Sequence, residues 1–357
     1  MPSSIRTHSA IAAAGVIAAL LAGCAPAAAA DGGGNDGGPI SELRLGYFAN
    51  ATHAPALVGL HGGHFDAALG DLELTAHAFG AGPAAIEALS AGAIDVAYVG
   101  PNPAINTFIQ SGGESVRIIA GAASGGAALV VREGIESPAD LAGTIIASPQ
   151  LGNTQDVALR EWLADQGFET DLSGRGDVRV TPTANAQAFR LIQQGDLDGA
   201  WMPEPWASRL VLEGGAHVLV DEAELWDDGA FPTTLLVVRQ GFLDAHPEAV
   251  KALLEGHLAA VQWIARNPAA AAVAINDAIA AETGAPLGDA VIDRALSHVD
   301  FTVDPLAAAF PALIEAGVRQ GTQREGSIDG LFDLGPLNDL LATRSQARVS
   351  DAGLGAE

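Results

Sequence analysis

Residues 43–59, LRLGYFANATHAPALVG, decide how the chain is read. LRLGYF (43–48) is a strand-like apolar run, NATHAP (50–55) is a turn of small polar groups, and a helical pattern opens at about residue 54. A strand that ends in such a turn and feeds a helix is the repeating unit of an α/β sheet. The same form returns at GAGP (80–83), GPNP (100–103), SPQLGNT (148–154) and MPEPW (202–206), and ASGG (123–126) adds a small-residue loop between strands. In an open α/β sheet the strand ends share one edge, where helix N-termini present free backbone N–H groups with partial positive charge. Glycine lets the backbone approach a ligand there, and Asn, Ser and Thr add donors. Five such turns describe the edge of a ligand cleft, one able to hold an oxyanion without Lys or Arg.

Outward from this stretch, short apolar runs alternate with helical patterns. Strands are expected at 72–79, 95–99, 116–122 and 127–132, with helices at 54–62, 83–91 and 103–110. A second α/β series follows, with strands at 144–148, 178–182, 198–202 and 217–221 and a strongly amphipathic helix from GNTQDVALREWLADQG (152–167). After one more strand, TTLLVVR (233–239), helices take over at 247–266, 268–282, 288–297, 304–319 and 336–342. This order suggests two lobes joined by crossovers near 131–137 and 229–234. Lobe 1 is then residues 43–131 plus 234–345, lobe 2 is 132–233, and 346–357 form a C-terminal tail.

The N-terminus reads as a targeting segment. Arg6 and His8 precede IAAAGVIAALLA, too short to span a membrane and suited to a signal peptide. The stretch ends in LAGC, and Cys24 is the only cysteine. That string resembles a bacterial lipobox, which implies cleavage after residue 23 and a lipid on the Cys24 thiol. Residues 24–42 are then a flexible Gly, Ala and Asp tether. The expected product is an extracytoplasmic body held to the cell membrane by its anchor.

Composition narrows the partners. Asp and Glu number 43 against 17 basic residues, of which only Lys251 is lysine, for a formal charge of −26. Nucleic acid is excluded as a partner, because it needs a basic patch. Gly-x-Ser-x-Gly and Walker A motifs are both missing, as is a strand-anchored Gly-x-Gly-x-x-Gly. His53, His61, His64 and His77 lack the spacing of a zinc site and are expected to be packing or surface residues. Neither metal nor cofactor is expected. WMPEPW (201–206) is different in kind, since Trp201 and Trp206 flank the carboxylate of Glu204. Either the carboxylate meets an amine between tryptophan faces, or it caps its own helix while both rings join the core.

LRLGYFANATHAPALVG, GAGPAAIEALSAGAIDVAYVGPNPAIN (80–106), PADLAGTIIASPQLGNTQDVALREWL (138–163) and LDGAWMPEPWASRL (197–210) together resemble the substrate-binding proteins of ABC importers in the nitrate/sulfonate/taurine group. The likeness covers about residues 43–265 and is strongest to the aliphatic sulfonate-binding branch. It implies a two-lobed α/β periplasmic-binding-protein fold, type II-like. Such a monomer closes on a small anion or zwitterion and delivers it to an ABC permease and its ATPase. The ligand contacts it implies are Asn50, Thr52 and His53, then Gly82 and Pro83, then Gly100, Pro101 and Asn102, with Ser124 and Gly125 from the loop. Lobe 2 adds Gly152, Asn153, Thr154, Trp201, Glu204 and Trp206. Taurine, nitrate and bicarbonate stay open beside an alkanesulfonate, and so does a solute sensor on the same fold. The pyrimidine-synthesis enzymes related to the group carry a cysteine-rich iron site that this chain lacks, which argues against that activity.

Overall fold

The computed structural model describes residues 40–355. The leader, Cys24 and all but the last residues of the tether lie outside the described residues. The described residues open with β1 (Glu42–Tyr47), α1 (Ala54–His61), α2 (His64–Leu69), β2 (Glu73–Ala78), α3 (Gly82–Ser90), β3 (Val96–Val99), α4 (Pro101–Gln110) and β4 (Val116–Gly125). It continues through β5 (Ala127–Arg132), β6 (Ile145–Ser148), α5 (Thr154–Asp165), β7 (Arg179–Pro182), α6 (Asn185–Gln194), β8 (Gly199–Pro203), α7 (Trp206–Glu213) and β9 (Ala216–Asp221). The last third holds β10 (Pro232–Arg239), α8 (Gln240–Ala245), α9 (Pro247–Arg266), α10 (Pro268–Thr283), α11 (Asp289–Ser297), β11 (Val299–Phe301), α12 (Phe310–Arg319) and α13 (Gly335–Thr343).

Two mixed sheets result, one of order β11-β4-β10-β3-β1-β2 and one of order β7-β6-β8-β5-β9. In the first, β2, β1 and β3 run parallel and β10 is inserted antiparallel. In the second, β7, β6 and β8 run parallel and β5 is inserted antiparallel. Each lobe thus receives in its antiparallel slot a strand that has just crossed from the other lobe. Buried apolar residues cover both faces of each sheet, which is why VAYV in β3 and most of PTTLLVVR in β10 are buried on both sides. The long α9 buries Val250, Leu253, Leu254, His257, Val261 and Ile264 at the i, i+3, i+4 spacing of an amphipathic helix.

The first crossover differs from the expected 131–137. β5 pairs with β8 and β9, so the chain leaves the first sheet at Gly125–Gly126. Both glycines hold left-handed backbone, φ +75° and +72°. A β-carbon on Gly126 would lie 2.4 Å from Val299 Cγ2, so only glycine makes this passage. The boundary between lobes therefore falls before residue 127, and AALVVR belongs to the second sheet. The return passage runs over 222–231. It contains two short 3-10 turns, at Glu222–Leu225 and Asp227–Gly229, that the apolar pattern did not indicate. The expected helix over 304–319 starts only at Phe310, because Leu306 sits at φ +53° and interrupts it.

Candidate functional site

β1, β3, β6, β8 and the start of β10 all reach one cavity of about 30 Å³ between the sheets. That is space for about two water molecules or one compact oxyanion head. From lobe 1 it is lined by Phe48, Asn50, Thr52, His53, Gly82, Gly100 and Pro103, with Thr233 and Thr234 from β10. From lobe 2 come Asn153, Thr154, Gln155 and Pro203. Asp, Glu, Lys and Arg do not occur among these lining residues.

Two helix starts meet here. Gly100 precedes α4, Thr154 opens α5, and a β-carbon on Gly100 would lie 2.4 Å from Thr154 Oγ1. The positive ends of the two helix dipoles thus converge from opposite lobes. Pro101 and Pro103 carry no N–H, so α4 offers only the Asn102 amide at its start. The first amides of α5, at Thr154 and Gln155, have no intrahelical acceptor. Side chains supply the remaining donors. Thr154 and Thr234 are 4% and 1% exposed, and their hydroxyls find no hydrogen-bond partner among the described residues. A buried unpartnered hydroxyl is costly, and two such potential donors stand at one small cavity.

The α5 turn is held rigidly. Asn153 Oδ1 accepts the Asp156 N–H at 2.9 Å, a helix N-cap. Asp156 accepts in turn from the Ser148 hydroxyl (2.6 Å), the Gly152 N–H (3.0 Å) and Arg160 Nε (3.1 Å). SPQLGNT is therefore fixed at both ends by one buried carboxylate. On the opposite wall the Phe48 N–H donates to His53 Nδ1 at 3.3 Å, which leaves the ring proton on Nε2. Burial pushes His53 down to about 3, so it serves as a neutral donor at physiological pH. Asn50 Oδ1 accepts the Trp206 indole N–H at 3.1 Å, leaving its amide hydrogens to donate.

The structure brings Asn50, Thr52, His53, Gly82, Gly100, Asn153 and Thr154 to this cavity, and Asn102 to its neighbour described below. Pro83, Pro101, Ser124, Gly125 and Gly152 line neither. Ser124 instead accepts the Phe231 N–H, and Gly125 accepts the Thr233 hydroxyl. Trp201 is a core residue whose indole donates to Glu222 Oε2 at 2.7 Å. Glu204 is 2% exposed and committed elsewhere. Its oxygens accept the Ser208 N–H and hydroxyl (3.0 and 2.9 Å) and pair with Arg294 of lobe 1 at 3.2 Å. Of its two open roles, the structure places it at the start of α7, away from the cavity. Trp206 lies outside the lining too and joins the lobes through Asn50. Phe48, Pro103, Gln155, Pro203, Thr233 and Thr234 were not singled out from the sequence. Among the described residues no group of His, Cys, Asp and Glu is placed to hold a metal, and no helix is long and apolar enough to cross a membrane.

Comparison with known proteins agrees with this geometry. The taurine-binding periplasmic protein of Escherichia coli K12 is 31% identical over 193 residues, which are 53% of this chain and 57% of that protein. The match thus spans little more than half of that relative's length. The structure of the alkanesulfonate-binding protein SsuA from Xanthomonas axonopodis pv. citri, bound to MOPS, superposes with a TM-score of 0.64 at 22% identity, covering 89% of this chain and 99% of SsuA. The periplasmic nitrate-binding protein NrtA from Synechocystis PCC 6803 superposes with a TM-score of 0.73 at 18% identity, covering 85% and 89%. At these identities the likeness establishes the fold, that of the two-lobed periplasmic binding proteins. A family model described as the NMT1-like family matches residues 36–278, about two-thirds of the sequence, and the chain belongs to that family.

Proposed function

We propose that the chain is the extracytoplasmic substrate-binding component of an ABC importer, which captures a small organic anion, an aliphatic sulfonate, between its lobes and delivers it to the permease and its ATPase. The observation that carries this reading is the meeting of the α4 and α5 starts at a cavity with unpartnered threonine hydroxyls and no charged lining residue. Two positive helix ends repel at this range, and an oxyanion between them turns that repulsion into attraction. Neutral donors suit a weakly basic sulfonate, which needs hydrogen bonds more than a counter-ion. The alkanesulfonate-binding and taurine-binding relatives support the ligand class. The protein works as a monomeric binder and not as an enzyme, and the Cys24 lipid holds it to the membrane.

Calorimetric titration with an alkanesulfonate, taurine, nitrate and bicarbonate tests the ligand class. Saturable one-to-one heat with the alkanesulfonate is expected, with weaker or no heat from bicarbonate. Silence from all four contradicts the proposal. Cys24→Ser should release the protein from membranes, and continued retention would rule out the anchor.

A further inference from the structure

A second, much larger cavity of about 670 Å³ adjoins the first, and Thr154 lines both. It lies between α5, the 222–230 segment and α12. Its apolar walls are Trp162, Leu225, Trp226, Leu306 and a run of alanines that starts at Ala308. Leu225 is 47% exposed. The charged residues that line it are carboxylates with a single exception. Arg319, the one base, is bound by Glu161, which also accepts from Gln320 at 2.8 Å. Glu222 accepts from Trp201. Asp165 and Asp227 form no ion pair among the described residues, and Glu315 has only a 3.9 Å contact to Arg319.

Asn102 gives the chemistry a direction. It is 1% exposed and lines this cavity, and its Nδ2 donates to the Leu313 carbonyl at 3.3 Å. The amide is thereby oriented so that Oδ1 is the free atom, and Oδ1 finds no partner among the described residues. The unpartnered groups therefore differ in kind. The small cavity has lone hydroxyls that suit an acceptor, while the large one has a lone acceptor that calls for a donor.

We propose that the larger cavity is a second ligand compartment, built for an ammonium-bearing, partly apolar body whose oxyanion head occupies the smaller cavity. The head rests on the function proposed above; the body does not. An N–H of the ammonium satisfies Asn102 Oδ1, the carboxylates of Asp165, Asp227 and Glu315 give the compartment that holds it a negative lining, and its apolar part lies against Trp162 and Trp226. The ligand is then an elongated zwitterion, too large for the head compartment alone. Glu204, the carboxylate that the sequence offered for an amine, has no part in it.

Calorimetry on the full chain tests this with two probes, 3-(benzylamino)propanesulfonate and 5-phenylpentanesulfonate, which differ by an ammonium nitrogen in place of one methylene. The zwitterion is expected to bind at least about 10-fold tighter. The variant D165N/D227N/E315Q, altered only at exposed positions, should bring the two probes to within about threefold of each other, with 5-phenylpentanesulfonate binding no more weakly than to wild type. Equal affinity of the two probes for the wild type overturns the second compartment and leaves the oxyanion reading standing. If neither probe binds, the second compartment is overturned; a short alkanesulfonate that still binds keeps the oxyanion reading, and one that does not ends it as well.

Discussion

Gly100 and Thr154 stand closer than any side chain at position 100 would allow, with 2.4 Å between a β-carbon built there and Thr154 Oγ1. The Gly100 backbone, φ −72° and ψ 164°, is open to any residue, so the constraint is the opposite lobe and not the local conformation. Gly100→Ala should therefore fold normally and fail to close. Its affinity for the anion should fall at least about tenfold, the usual cost of one overpacked methyl. Its melting temperature without ligand should stay within about 3 °C of wild type. A large loss of stability with affinity kept would assign this glycine to folding instead.

Because the cavity uses neutral donors on a body of formal charge −26, the anion is repelled from afar and held only at short range. Screening shortens that repulsion from about 30 Å at 0.01 M salt to about 8 Å at 0.15 M. The association rate of an alkanesulfonate, followed by stopped-flow tryptophan fluorescence, should rise about threefold or more over that range. Dissociation should change little. A rate that falls with salt would reveal a basic approach to the site and contradict the neutral-donor account.

Glu222 couples lobe 2 to pH. Burial pushes its carboxyl up to about 7, opposed by hydrogen bonds from Trp201 and Trp226, against 4.5 for an ordinary glutamate. Between those values the folded chain keeps a proton that the unfolded chain has lost. Stability therefore falls as pH rises from 4.5 to 7 and levels off above. The loss is on the order of 3 kcal/mol. His53 and His257, pushed down by burial to about 3 and 4, act with the opposite sign below 6.5, where only the unfolded chain takes up protons. Glu222→Gln keeps an oxygen for the Trp201 indole and cannot ionise, so urea melts of the two proteins isolate the Glu222 contribution. Their difference should grow from pH 4.5 to 7 in favour of the variant, and a constant difference would refute the assignment.

The strand-to-helix turns were legible because glycine, proline and small polar residues mark them directly, and seven of the residues taken from them line the small cavity. The crossover was not legible. AALVVR in β5 is apolar whichever sheet it joins, and only the paired left-handed glycines before it signal the passage. Thr233 and Thr234 escaped notice for a topological reason. β10 runs antiparallel, so its start, and not its end, lies at the edge where the parallel strands finish. Two threonines opening a strand that returns from the other lobe were the available signal. WMPEPW stayed ambiguous because the partners of its side chains are partly remote in sequence: Asn50 for Trp206, Glu222 for Trp201, and Arg294 beside Ser208 for Glu204.

The unpartnered hydroxyl of Thr154 is where stability and binding separate most cleanly. Valine there keeps the shape and removes a buried polar group that finds no partner among the described residues, so the fold should be unchanged or slightly more stable. The most direct measurement is a calorimetric titration of a short alkanesulfonate into wild type and Thr154→Val. The account predicts one-to-one binding to wild type and an affinity about tenfold lower for the variant, the cost of one hydrogen bond to a charged ligand. Equal affinity for the two proteins, or no binding to wild type, would contradict it.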